Sequence, residues 1–122
     1  MSEILVVDDD LAVLDVMSEM LRLEGHEVTV AENGADAVQC VNDAEFDLVI
    51  TDLIMPEKEG LETIADIRRS KADLPIIAIS GGGRLGPTDY LETARFIGAN
   101  ATLAKPFARQ ELLSTVESIF AS

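Results

Sequence analysis

A chain of 122 residues, 48% of them apolar, has room for one buried core and is too apolar to stay disordered. A formal net charge of −14 argues against nucleic acid and anionic lipid as partners and favours cations and basic surfaces. A lone cysteine, no apolar run near the roughly 18 residues of a membrane helix, and no basic flank at Met1-Ser2-Glu3 lead us to expect a soluble, reducing, cytoplasmic setting.

In chain order, the first apolar run is Ile4–Val7, and it ends directly in Asp8, Asp9 and Asp10. Val13, Val16, Met17, Met20 and Leu21 then recur at helical spacing on one face, with Asp10 placed to cap that helix and Gly25 to end it. His26, the only histidine, follows in a loop without metal-ligand spacing and reads as solvent-facing. Val28–Ala31 alternates as an edge strand would. Ala37, Val41 and Ala44 give the second helix its apolar face, Asn33 with Asp36 its start, and Cys40 an inert place beside the stripe. Leu48–Thr51 is the third strand, followed by Asp52-Leu53-Ile54-Met55-Pro56. Leu61, Ile64 and Ala65 mark the third helix. The basic cluster Arg68, Arg69 and Lys71 reads as cations at its C-terminus. Ile76–Ser80 is the fourth strand, then Gly81-Gly82-Gly83. Tyr90, Ala94 and Ile97 form a weaker helical stripe ending at Gly98. Ala101–Ala104 is the fifth strand, then Lys105-Pro106-Phe107, and Leu112, Val116, Ile119 and Phe120 line a last helix.

Five β-α units in sequence call for an α/β fold with a parallel sheet and helices on both faces. We expect a single domain over residues 1–122 with no further domain. Sites in such sheets lie beyond the carboxyl ends of the strands. There the sequence places Asp8, Asp9 and Asp10 after the first strand, Asp52 after the third, Ser80 after the fourth and Lys105 after the fifth. Carboxylates from two strand ends can share a hard divalent cation, which offsets their repulsion, and Mg²⁺ takes one or two carboxylates with phosphate oxygens completing its shell. A neighbouring aspartate can then act as a nucleophile toward phosphorus, with a lysine and a hydroxyl holding the new oxygens.

From VVDDD through TDLIMPEKEG and ISGGG to LAKPF, the whole chain resembles the receiver domain of two-component response regulators. The resemblance implies a flavodoxin-like sheet of order 2-1-3-4-5. It implies that Asp52 accepts the phosphoryl group. Mg²⁺ would be held by Asp8, Asp9, Asp52 and the backbone carbonyl of Ile54, with Asp9 the direct member of the acidic pair. Ser80 and Lys105 would contact the phosphate, and Pro106 would follow the lysine. A histidine kinase or histidine phosphotransfer protein would supply the phosphoryl group. Output would pass through contacts around the fourth helix, fifth strand and fifth helix, from a monomer or weak dimer. The chain would promote only its own phosphorylation and dephosphorylation.

One position departs from the family. Thr102 stands where an aromatic residue usually does, so we expect the response to run through Ser80–Pro87, with the three glycines and Tyr90 moving. Other readings remain: a receiver cut from a larger regulator or hybrid kinase, or one that binds partners without being phosphorylated. A haloacid-dehalogenase-like phosphatase using Asp8 with Asp10 as general acid is a third, against which stands Ala12 where Thr or Val is usual. A flavodoxin-like cofactor binder is a fourth, against which stands the sign of Asp8-Asp9-Asp10.

Overall fold

The computed structural model describes residues 2–52, 60–80, 98–105 and 107–121, with Gly60, Leu61 and Ser80 by backbone alone. Ile54, Gly81-Gly82-Gly83, Tyr90, Pro106 and the expected Tyr90–Ile97 stripe lie outside the described residues. The elements alternate as β1 (Glu3–Val7), α1 (Leu11–Leu23), β2 (Glu27–Ala31), α2 (Gly34–Asp43), β3 (Leu48–Asp52), α3 (Gly60–Ser70), β4 (Ile76–Ser80), β5 (Ala101–Ala104) and a C-terminal helix (Arg109–Ala121). All strand pairs are parallel, in the order β2-β1-β3-β4-β5.

The continuous apolar runs of β1, β3 and β4 make sense in this arrangement, because successive side chains point to opposite faces and both faces are covered. Leu5, Val7, Val49, Ile76 and Ala78 pack with Ala37, Val41, Ile64 and Ile67 of α2 and α3. Ile4, Val6, Leu48, Ile50, Ile77, Ile79 and Leu103 pack with Leu14, Met17 and Leu21 of α1 and Leu112 and Val116 of the C-terminal helix. β2 lies at the sheet edge, with Val30 45% exposed, as its alternation suggests.

Capping follows the sequence. Asp10 accepts from the N–H groups of Ala12 and Val13 at the start of α1, and Asn33 accepts from Asp36 at the start of α2. Gly25, at φ +91°, supplies the left-handed residue after α1.

Three expectations change. The buried face of α1 is Leu14, Met17, Ser18 and Leu21, whereas Val16 is 51% exposed. Ala44 is exposed at the C-cap of α2 rather than part of its buried stripe. His26 is half-buried rather than solvent-facing, its ring 5.8 Å from that of Phe120. The first correction has a simple origin. Apolar residues surround α1 so broadly that periodicity alone does not choose which stripe meets the sheet.

Leu14→Ala should therefore lower stability by about 2–4 kcal/mol, while Val16→Ala should change it by less than about 0.5 kcal/mol. Urea denaturation of both variants separates the two faces.

Candidate functional site

The two-residue repeat of the strands assembles the site. Asp8 continues the parity of Val6, Asp52 that of Ile50, and Lys105 that of Leu103. All three parent residues face the α1 side of the sheet. Val7 is level with Thr51, which brings the first residues beyond β1 and the end of β3 together. Leu103 shares a level with Ile79, and Ile79 with Asp52. Lys105 thus stands two residues above Asp52, and its long side chain reaches back down to the carboxylates.

Asp8 and Asp52 are nearly sealed, at 1% and 6% exposure, while Asp9 is open to solvent. Buried like charges repel strongly unless something cationic intervenes. Lys105 is that group here: its Nζ donates to Asp8 Oδ2 at 2.9 Å and lies 3.6 Å from Asp52 Oδ2. The other oxygen of Asp8 accepts the backbone N–H of Asp10 at 2.9 Å. The Lys105 ammonium experiences two opposed influences. Burial pulls its pKa down, but the hydrogen bonds and charges of Asp8 and Asp52 together outweigh that, and the net displacement is upward.

Carboxylate oxygens of Asp8, Asp9 and Asp52 lie within 4.8 Å of one another. A set of oxygen donors only, part sealed and part open to water, suits a hard cation that keeps some of its waters, as Mg²⁺ does. Asp10 is not among them, because its carboxylate is turned into the α1 cap. The expected fourth contributor, the Ile54 carbonyl, lies outside the described residues, as does the Ser80 side chain. The backbone of Ser80 is level with Ala104, next to Lys105. Thr102 is half-buried on the opposite face of β5, level with Ala78.

One feature escapes the motifs. Ala12, Val13, Val16, Met17 and Met20 of α1 meet Lys105 and Phe107 across a groove of about 540 Å³. It reaches Lys105 and is lined mainly by apolar side chains. Its sequence signal is the excess of apolar residues on α1 beyond what one buried stripe needs.

Comparison with known proteins agrees with this geometry. The family model described as response regulator receiver domain matches residues 4–117. The chain is 35% identical over 120 residues to a transcriptional regulatory protein CpxR homolog of Haemophilus influenzae, covering 98% of this chain and 50% of that protein. It is 40% identical over 114 residues to the DNA-binding transcriptional regulator NtrC of Azospirillum brasilense, covering 93% of this chain and 23% of that one. Among solved structures, the receiver domain of NtrX from Brucella abortus superposes with a TM-score of 0.90 at 30% identity, covering 98% of each chain. The chain thus spans half the length, or less, of these two curated relatives. Among the described residues no helix is long and apolar enough to cross a membrane.

Because the Lys105 pKa is higher in the fold than in the unfolded chain, the stabilisation it brings is complete below the unfolded lysine value of about 10.4 and is lost as pH rises through the folded value. Lys105→Met should be less stable than wild type by roughly 1–3 kcal/mol near neutral pH. That gap should hold steady up to about pH 9 and shrink above about pH 10.5. Urea midpoints of both proteins across this range measure it.

Proposed function

We propose, since this chain belongs to the response regulator receiver domain family, that it takes a phosphoryl group onto Asp52 from a phosphohistidine on a histidine kinase or phosphotransfer protein. The observation that carries this reading is the convergence of Asp8, Asp9, Asp52 and Lys105 at one end of the sheet.

A carboxylate oxygen of Asp52 attacks the phosphorus in line with the bond to the donor imidazole. The O–P bond forms, the P–N bond breaks, and the departing imidazole takes up a proton. The product is an acyl phosphate on Asp52. Phosphoryl transfer of this kind depends chiefly on position and on neutralising charge at the equatorial oxygens. Asp8, Asp9 and Asp52, with the Ile54 carbonyl, would hold Mg²⁺, which when bound neutralises charge on the transferring oxygens. Lys105 is within one side-chain movement of the same oxygens. Its ammonium would turn from Asp8 toward the new phosphate as the cation takes over compensation of the carboxylates. Ser80 would supply a hydroxyl from the end of β4.

The donor must approach from outside the sheet end. The apolar groove between α1 and Phe107, which ends at Lys105, supports docking of the donor protein there. Its lining offers area for a helix of the donor, and the net charge of −14 favours a basic one. The modification adds negative charge and acceptor oxygens at one edge and thereby biases contacts with a downstream protein.

Intact-mass measurement after incubation with acetyl phosphate tests this reading. A single phosphoryl adduct that requires Mg²⁺ and disappears in Asp52→Asn is the expected result. An adduct that survives in Asp52→Asn and is lost in Asp8→Asn would transfer the nucleophile to Asp8 and sink the proposal.

A further inference from the structure

Lys105 follows a strand that does little to fix its own position. β5 has four residues, Ala101–Ala104, at the edge of the sheet, with β4 as its one hydrogen-bonded strand partner among the described residues. Three of those residues are small, and only Leu103 is buried. A short edge strand with one buried anchor specifies register weakly. Yet register is decisive for Lys105. A slip of one residue would turn it to the opposite face, and a slip of two would carry it about 6–7 Å along the sheet.

A polar cluster stands at the base of this strand, at the end of the sheet away from the carboxylates. Asn100 donates its backbone N–H to the Ile76 carbonyl at 2.7 Å, and its side-chain Oδ1 accepts the Ile76 N–H at 2.9 Å. The side chain thus closes a reciprocal pair with the first residue of β4. Arg68, near the end of α3, donates from Nη2 to the same Oδ1 at 2.6 Å, from Nε to the Gly98 carbonyl at 3.0 Å and from Nη1 to the Lys71 carbonyl at 3.1 Å. Gly98 leaves the guanidinium its path. At φ +137°, a Cβ there would stand 2.9 Å from Arg68 Nε and 3.0 Å from its Cγ. The guanidinium is therefore no free cation at a helix end. It is bound to the entry of β5 and to the end of its own helix.

We propose that Asn100, held by Arg68, is a positioning residue for phosphoryl transfer: it pins the register of β5 against β4 and so sets the Lys105 ammonium against Asp8 and Asp52. The inference rests on the reading that Lys105 serves the phosphoryl group on Asp52. Neither Asn100 nor Arg68 approaches the reacting atoms. Both act through four residues of strand.

The test compares Asn100→Ala, Asn100→Asp, Lys105→Ala and the double variant Asn100→Ala/Lys105→Ala, using acetyl phosphate as phosphodonor with Mg²⁺. Asn100→Ala should slow adduct formation about tenfold, the factor for misplacing one charge-assisted contact. Asn100→Asp keeps an acceptor for both Ile76 N–H and Arg68, and should recover the rate to within about twofold. In the Lys105→Ala background, Asn100→Ala should cause no further slowing. Cross-strand NOEs that set Thr102 opposite Ala78 should weaken in Asn100→Ala and return in Asn100→Asp. Should Asn100→Ala fail to fold, Asn100→Ser, whose shorter side chain lacks the amide oxygen that accepts from Ile76 and Arg68, takes its place in the same comparisons.

An unchanged rate with full NOEs in Asn100→Ala overturns the pin. So does slowing that persists undiminished in the Lys105→Ala background, which would mark general damage. A wild-type rate in Lys105→Ala would instead overturn the role given to Lys105 and the catalytic consequence of the pin with it, while the NOEs would still judge register by themselves.

Discussion

Two carboxylates are sealed at the end of a hydrophobic sheet, and everything around them answers that electrostatic problem. Asp8 and Asp52 are nearly removed from water and share one small space. Charges in such a position are tolerated only when paired and hydrogen-bonded. Lys105 supplies the pairing, and the Asp10 N–H supplies a hydrogen bond. The arrangement stays poised because its compensation is mobile. A lysine ammonium is a point charge on a flexible stem, able to exchange one anionic partner for another. On the proposed reading, a cation entering the cluster would release the lysine, and a phosphoryl group on Asp52 would give it a new partner. The same crowding of carboxylates that must be compensated in the resting state favours a cation there.

The sheet converts sequence distance into this proximity. Residues 8, 52 and 105 are far apart along the chain, yet each continues the inward parity of its strand toward α1. The central strands hold their places through apolar side chains on both faces. β5 cannot, being short, peripheral and built of small residues. That weakness is repaired by side-chain polarity at the far end of the strand, where Arg68, Asn100 and Gly98 gather. Thr102 fits the same pattern. It is a small residue on the face of β5 turned away from the carboxylates, and it leaves that face without the aromatic ring common in the family.

α1 serves two surfaces at once. Leu14, Met17 and Leu21 anchor it in the core with Val13 and Met20 packed against them, while Val13, Val16, Met17 and Met20 also line the groove beside Lys105. Of these, Val16 is the one that covering the sheet does not require, since it is 51% exposed. Their place next to Lys105 puts an apolar surface beside the acidic cluster, where, on the proposed reading, a docked donor would be aligned with Asp52.

Much was legible in the sequence because it depends on neighbours along the chain. Strand spans, helix caps at Asp10 and Asn33 and the left-handed turn at Gly25 rest on local pattern or on short-range chemistry, whereas the sheet order followed only from the family resemblance. The nearness of Asp8, Asp52 and Lys105 was foreseeable too, since parallel strands deliver their carboxyl ends to one edge. What lay beyond sequence depends on competition between surfaces. Periodicity offered α1 several apolar stripes, and packing against the sheet chose Leu14 over Val16. His26 looked like a solvent-facing loop residue until Phe120 of the last helix came against it. Arg68 looked like a cation at a helix terminus, and only the return of the chain at Gly98 and Asn100 gave its donors their acceptors. Sequence thus determined which elements form and which residues carry charge to the sheet end. Tertiary structure decided which face of each element is buried and which distant polar groups meet, because those outcomes require surfaces that exist only after the sheet has assembled.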